Sequence, residues 1–471
     1  MQIDKKKLER QQIGVDKWFE VQKGTLHYFT GVGKTFTAVL IMKRLFRLNL
    51  NHSIVILVPS EILQKQWNEV LNLNFNKKEL YTVEVFTPNY IITNDIRIKT
   101  NTLIVDELHE FYSKEFVKTV NKEYIQYDTN LALTATYEDS KGRHADIEEL
   151  YPIIDEITEE EAIREGYITP YVEFNLSVKL NDVEKSQYES YTKVISNNIS
   201  KFGKNGLPLA VKCLSGGKHT NGRIYEGKSF VYGWAAKNGW HKNLNLSNPR
   251  DEQINDLWNP SKVFGYAINL MNAIRKRKDL LYHCDSKATT CANIVFKFPN
   301  LKTIIFSQST AFADKLNLTL NNRDPNSSVV YHSQLKTVLA PSPTTGKLIK
   351  FGKTRLKKQA MAAIRNNVAR ILCTASSLDK GLDIPDLTLG ITASGTSNFT
   401  QYKQRGGRLK RILFGEDKVA LLINLYAENS KEEDWLVARQ SKSTHKVHWI
   451  DSVEDISFSP KDKKVFKITD I

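Results

Sequence analysis

Along the first third of the chain, short apolar runs alternate with stretches whose apolar residues recur at helical spacing. Thr25–Phe29 predicts a strand, a glycine-rich turn follows, and helical spacing then runs through Phe46. Ser53–Val58 reads SIVILV, an unbroken apolar run of the kind found in strands buried on both faces. Tyr81–Thr87, Thr102–Val105 and Asn130–Thr134 predict further strands. Strands that alternate with helices predict a parallel, doubly wound sheet. The series resumes near Leu301, with strands expected at Thr303–Ser307, Ser328–His332, Arg370–Thr374 and Val419–Leu425. The expected fold class is α/β, with two doubly wound parallel-sheet lobes and an insertion between them.

The segment between the lobes has a different texture. Ile154–Glu165 is acidic and helical in character, and Asp182–Ile199 is polar with helical spacing. Residues 201–250 hold nine Lys/Arg against one acid, Glu226, and eight of the 23 glycines. Val263, Tyr266, Ala267, Leu270, Met271 and Ile274 then fall on one helical face. The expected division is lobe one over 1–160, linker and insertion over 161–298, lobe two over 299–430, and a tail over 431–471 packed on lobe two. The basic, aromatic part at about 203–257, with its spaced Gly and Asn turns, reads as a small β-rich subdomain. A second basic stretch, Lys336–Lys358, has seven Lys/Arg and no acid.

Charge sharpens the choice of partners. The 471 residues carry a formal net charge of +15, a field that favours polyanions and above all nucleic acid. Four cysteines without a CxxC pair give no zinc spacing and read as reduced thiols. The charged N-terminus has no apolar signal region, and no apolar run is long enough to span a bilayer. The expected location is the cytoplasm of a bacterial or phage-infected cell, with no membrane partner and a monomer favoured.

Two short motifs carry phosphate chemistry. Thr30-Gly31-Val32-Gly33-Lys34-Thr35 follows a predicted strand and opens a predicted helix. Glycines let backbone N–H groups close around phosphate, Lys34 serves the β/γ oxygens, and the Thr35 hydroxyl serves Mg²⁺. A full phosphate-loop motif has glycine where this chain has Tyr28. Asp106-Glu107-Leu108-His109 ends the apolar run TLIV. A strand-end aspartate suits Mg²⁺, and the neighbouring glutamate can activate water.

With these motifs the chain resembles the superfamily-two helicases. The resemblance is carried by TGVGKT, DELH, Thr134-Ala135-Thr136, Ile304–Thr310 (IIFSQST), Thr374–Leu387 (TASSLDKGLDIPDL) and Gln404–Arg411 (QRGGRLKR), in the family's order. It covers about residues 8–170 and 260–440, and Gln12 stands where the family places its adenine-reading glutamine. DELH in place of DEAD argues against the DEAD-box RNA helicases. Glu161–Tyr171 is similar to the inter-lobe connection of the UvsW, RecG-like and XPB-type DNA helicases.

The resemblance implies two RecA-like lobes and an ATP-dependent DNA helicase or translocase, most simply one that remodels forks, D-loops or Holliday junctions. An RNA helicase, or the motor subunit of a larger DNA-processing complex, is the alternative. It implies that ATP is held by Gln12, Thr30, Gly31, Val32, Gly33, Lys34 and Thr35, joined by Gly381 and Asp383 of the fifth motif. Mg²⁺ falls to Thr35 and Asp106. Glu107 activates water, Gln404 contacts the γ-phosphate or that water, and Arg408 and Arg411 stabilise the phosphoryl transition state. His109, Thr134 and Thr136 couple the cleft to the strand. Pro59, Ser60, Thr87, Ser307 and Thr310 are expected to touch the strand, and Trp234 and Trp240 to stack on bases at a branch.

Overall fold

A computed structural model describes residues 5–139, 142–215, 223–238, 258–341, 347–375, 384, 386–395, 402, 405–407, 409, 418–440 and 445–458. The chain divides into two compact units. One holds both α/β lobes; the other spans Val178–Thr289 with Ala427–Asn429. Among the described residues no helix is long and apolar enough to cross a membrane.

Lobe one runs α1 (Lys5–Val21), β1 (Thr25–Tyr28), α2 (Lys34–Leu48), β2 (Ile54–Leu57), α3 (Glu61–Asn74), α4 (Lys77–Leu80), β3 (Val83–Phe86), α5 (Pro88–Thr93), β4 (Ile98–Asp106), β5 (Ile125–Thr134), β6 (Ile153–Ile157) and α6 (Glu159–Arg164). Its sheet has the order β3-β2-β4-β5-β1-β6. All its pairings are parallel. β2 is buried at every position, as a strand covered on both faces must be. The stretch Ile154–Glu165, read as one acidic helical segment, is a strand followed by a helix. Thr158 separates them, its hydroxyl capping α6 by accepting the Glu161 N–H at 3.1 Å. The acids that suggested a helix serve a different end in β6, where Asp155 is buried among cations.

Lobe two takes in more of the chain than expected. After β7 (Tyr171–Val178) come the helices α7 (Asp182–Ile199), α8 (Gly206–Cys213), α9 (Arg223–Lys237), α10 (Pro260–His283) and α11 (Asp285–Lys297). The lobe continues with β8 (Thr303–Ser307), α12 (Thr310–Arg323), β9 (Ser328–Tyr331), β10 (Val338–Pro341), β11 (Leu348–Phe351), α13 (Lys353–Arg365), β12 (Ile371–Ala375), β13 (Leu389–Thr392) and β14 (Ala420–Ala427). A helix at Lys431–Gln440 and β15 (His448–Ile450) follow. The sheet order is β15-β7-β14-β13-β8-β12-β9. Thus Tyr171–Val178, assigned by sequence to the linker, is an inner strand of lobe two, and the tail supplies the edge strand beside it in parallel register. β10 and β11 form a separate antiparallel hairpin.

Among its described residues the second unit is helical, so the expected β-rich subdomain is replaced by helices over 206–213 and 223–237. Buried Phe202, Ala210, Val231 and Ala235 pack against Val263, Ala267 and Leu270 of the amphipathic helix α10. A glycine read as a turn signal serves close packing here. A Cβ on Gly227 of α9 would lie 2.3 Å from the Ser215 carbonyl oxygen.

Candidate nucleotide-binding site

In a parallel sheet the loops that leave the strand C-terminal ends share one edge, and ligands bind there. Lobe one presents the 30–35 loop after β1, Pro59 and Ser60 after β2, Thr87 after β3, Asp106–His109 after β4 and Thr134–Thr136 after β5. The topology therefore brings five stretches, scattered over about a hundred residues, to one edge.

The phosphate loop is shaped by its glycines and braced from α1. Gly31 (φ 95°) and Gly33 (φ 103°) sit in the left-handed region that residues with a Cβ avoid. A Cβ on Gly33 would also lie 2.4 Å from Gln11 Nε2. Gln11 donates to the Val32 carbonyl at 2.8 Å, and Lys7 Nζ donates to the Gly31 carbonyl at 2.8 Å. α2 starts at Lys34 with no side-chain cap at Gly33. Its first-turn N–H groups have no intrahelical partner, which makes that end an anion site. Lys34 is buried and donates from Nζ to the Tyr28 carbonyl at 3.2 Å.

Tyr28, where a full motif has glycine, has a structural task. Its hydroxyl donates to Asp155 Oδ2 at 2.6 Å. Arg10 and Lys17 of α1 reach the same carboxylate at 2.6 Å each, and Arg10 also pairs with Glu161 at 2.9 Å. This cluster fixes α1 against β6, and so fixes the helix that braces the loop. Burial alone would raise the Asp155 pKa. The hydrogen bonds from Arg10, Lys17 and Tyr28 outweigh burial and hold the carboxyl below its usual range.

The acidic motif is built at the end of β4. Asp106 is buried, and Trp67 Nε1 donates to its Oδ2 at 2.8 Å. Burial and then the charge of Glu107 push its pKa up to about 6, against the opposing pull of the Trp67 hydrogen bond and Lys34. The buried Asp106 carboxylate and the Thr35 hydroxyl of the phosphate loop, on loops of the same sheet edge, are hard oxygen donors of the kind that suits Mg²⁺, so the residues fit the ion. Glu107 adopts a left-handed backbone at φ 55°, ψ 56°. A non-glycine residue holds that conformation at a cost of about 1–2 kcal/mol, and such strain clusters at working sites.

His109 links this motif to the next. Its Nδ1 lies 3.0 Å from Thr134 Oγ1 and 3.5 Å from Glu107 Oε2. The Thr134 hydroxyl donates to the Thr136 carbonyl at 2.7 Å and accepts the Thr136 N–H at 3.1 Å. With its one proton committed to a carbonyl, the hydroxyl can only accept from the ring, which assigns the proton to His109 Nδ1.

The expected residues do not all gather. Gln12 lies on the exposed face of α1 and bonds Asp16 at 3.2 Å; the glutamine on the loop is Gln11, one place earlier. Ser60 caps α3 by accepting the Leu63 N–H at 3.4 Å, and Thr87 occupies the cap position of α5. In lobe two, Ser307 donates to the Ser309 carbonyl at 3.0 Å and Thr310 to Gln334 Oε1 at 2.8 Å. Trp234 packs in the helical unit between Phe202 and Phe230, with ring centroids 6.2 Å away on either side. Gly381, Asp383, Gln404, Arg408, Arg411 and Trp240 lie outside the described residues. Their neighbour Gly407 is described, and a Cβ there would lie 2.5 Å from Thr30 Cγ2. The sixth motif thus abuts the phosphate loop closely enough that only glycine fits.

Comparison with known proteins agrees with this arrangement. Residues 5–139 match the family described as Type III restriction enzyme, res subunit, and residues 286–413 match the helicase conserved C-terminal domain. The chain is 24% identical over 442 residues to the DNA 3'-5' translocase XPB2 of Sulfurisphaera tokodaii, covering 90% of this chain and 82% of that protein. In fold it is similar to the Hef helicase domain of Pyrococcus furiosus. That match has a TM-score of 0.51 and 14% identity, over 91% of this chain and 97% of that one. It is similar also to the ATP-dependent Type ISP restriction-modification enzyme LlaBIII, at a TM-score of 0.53 and 15% identity, over 97% of this chain and 32% of that one. A phosphate loop, a strand-end Asp-Glu, a coupled histidine and a second parallel-sheet lobe, with matches to both helicase halves, lead to one assignment: the chain belongs to the superfamily-two helicases and is a nucleic-acid-dependent ATPase.

Proposed function

We propose that this chain is an ATP-driven DNA translocase that remodels branched DNA. The observation that carries the reading is the contact of Gly407 with Thr30, which sets the sixth motif of lobe two on the phosphate loop of lobe one. Arg408 and Arg411 follow that glycine in sequence, so a modest closure of the lobes would deliver them and Gln404 to a bound phosphate. In this reading Thr35 and Asp106 hold Mg²⁺, which offsets phosphate charge when bound. Lys34 and the α2 amides hold the β/γ-phosphates, and Glu107 takes the proton of the attacking water. Gln11 rather than Gln12 sits on the nucleotide side of α1. His109 and Thr134 carry the state of the acidic motif to Thr136, and Gly381 and Asp383 complete the cleft from lobe two.

DNA is preferred over RNA because the 24%-identical relative is a DNA translocase and because the net charge of +15 suits a duplex as well as a strand. The strand would run over Pro59, Ser60 and Thr87 in lobe one and Ser307 and Thr310 in lobe two. The test is ATPase rate with single-stranded DNA, duplex, a forked duplex, a four-way junction and RNA as cofactors. Stimulation that is largest with the fork or junction supports the reading; stimulation by RNA alone overturns it. The match of residues 5–139 to a restriction-enzyme subunit family favours a second reading, a motor within a larger DNA-processing complex. Translocation on duplex without strand separation would select it.

A further inference from the structure

The ATP chemistry leaves one part of lobe two without a task, the hairpin β10–β11 and the basic helix α13 after it. The hairpin departs from the C-terminal end of β9, on the sheet edge that also carries Ser307 and Thr310. Its root is anchored there. Thr310 donates to Gln334, the Gln334 N–H donates to His332 Nδ1 at 3.2 Å, and buried His332 pairs through Nε2 with Asp314 at 2.8 Å.

Alternation along the strands gives the hairpin two unlike faces. Val338 stands opposite Phe351, and Ala340 opposite Ile349. That face is packed at Phe351, which is buried with the Arg355 guanidinium 4.2 Å from its ring centre, while Val338 is 46% exposed. On the other face Leu339 stands opposite Lys350, with Leu348 two residues away. Leu339 is 65% exposed and Leu348 69%, and Lys350 is exposed beside them. Large aliphatic side chains that stand together in water, on an element otherwise able to bury them, mark a contact surface. The charge around them is of one sign. Residues 336–358 hold seven Lys/Arg, and no acid occurs between Asp324 and Asp379.

The charge selects a polyanion, and the leucines select one that also offers an apolar face. A nucleic-acid duplex does so where its strands part and the last base pair is uncovered. A membrane surface shares both properties, but the root of the hairpin lies at the strand path proposed for lobe two, which favours DNA. We propose that hairpin β10–β11 is a junction wedge: Leu339 and Leu348 lie against the terminal base pair of a duplex while Lys347, Lys350 and the α13 cations hold its phosphates. The proposal rests on the translocase reading and adds to it the element that meets the branch.

The test uses the full chain and two double variants, Leu339→Ser with Leu348→Ser, and Lys347→Ala with Lys350→Ala. These positions are exposed, so melting temperature serves as the fold control. Three quantities are read: ATPase with single-stranded DNA, anisotropy with single-stranded and forked DNA, and unwinding of the fork. In the serine pair, single-strand ATPase is expected to stay within about twofold while fork unwinding slows about tenfold or more. In the alanine pair, fork affinity is expected to fall severalfold, with a salt dependence reduced by about two counterions. Fork affinity and unwinding unchanged in both pairs would overturn the wedge. So would intact fork binding combined with lost binding to phosphatidylserine vesicles, which would assign the surface to a membrane. A parent protein whose ATPase ignores every DNA would overturn the translocase reading, and fork anisotropy would still decide the hairpin.

Discussion

The helical insertion and the hairpin look alike as sequence, for both are strongly basic and both mix apolar side chains among the charges. In the fold they differ. Among the described residues the insertion packs Phe202 and Phe230 each against Trp234, while Leu207, Val211 and Tyr232 stay exposed. Its lysines cover those rings from outside, with Lys212 Nζ 4.9 Å from the Phe230 centre and Lys237 Nζ 5.7 Å from that of Trp234. The hairpin instead turns Leu339 and Leu348 outward. Charge density therefore does not identify a contact surface. What separates the two is whether the apolar atoms among the charges are already used by the protein. Both differ again from the lobe-one edge, where each charged group is held in place by named partners.

The largest expected effects fall on that edge. Lys34→Ala should lower ATP turnover by about 10²–10³-fold, as loss of a preorganised charge at a reacting phosphate does. Glu107→Gln should bind ATP and turn over roughly 10²–10⁴-fold more slowly. Steady-state ATPase together with a nucleotide-binding titration separates the two. If either variant hydrolyses ATP at the parental rate, the edge holds its charges for another purpose. Arg408→Ala and Arg411→Ala should lower kcat far more than they raise KM, since contacts made only in the transition state act that way.

A large but purely structural effect is expected at Asp155. Asp155→Asn leaves Arg10 and Lys17 facing an uncharged group and should destabilise lobe one by about 3–5 kcal/mol. The sign with pH follows from the depressed pKa of Asp155. The ion-paired carboxylate contributes in full above the unfolded-state value of about 3.9, and that contribution is lost as pH falls through the lower folded-state value. Thermal melts of parent and variant should therefore converge as pH falls below about 4. A constant gap down to acid would mean that the aspartate acts by shape alone.

How much was legible in the sequence is well illustrated by α1. The phosphate loop, the DELH motif and most strands could be read, because local chemistry and alternation determine them. Gln12 is expected from the resemblance to read adenine, whereas the glutamine that braces the loop is its neighbour Gln11, and the signal for that existed. Gln11, Val15 and Trp18 fall at i, i+4 and i+7 and share the buried face, which leaves Gln12 in water. Asp155, Lys7 and Trp67 could not have been found, because their partners lie 24 to 160 residues away and only the fold joins them. The strand at Tyr171–Val178 went unread for a similar reason: it pairs across the sheet with the distant tail. Gln11→Ala should raise KM for ATP roughly tenfold through the loss of a buried hydrogen bond to the loop, while Gln12→Ala should change it by less than about twofold. Equal effects would return the role to Gln12.

The smallest effect decides the insertion. Deleting residues 203–257 would remove Ala210, Cys213, Val231 and Ala235 from the core they share with α10, so a deletion would report unfolding rather than binding. Charge removal is the cleaner probe. Lys212 and Lys237 are exposed, and replacing both with alanine takes away two positive charges and two cation–ring contacts of about 0.5–1 kcal/mol each. If the insertion holds phosphate through them, the slope of log affinity against log salt for a four-way junction becomes shallower by up to about two. ATPase in the absence of DNA should not change. A slope equal to the parent's, together with a slightly lower melting temperature, would mean that these lysines shield the rings and that contact with the branch falls to the hairpin.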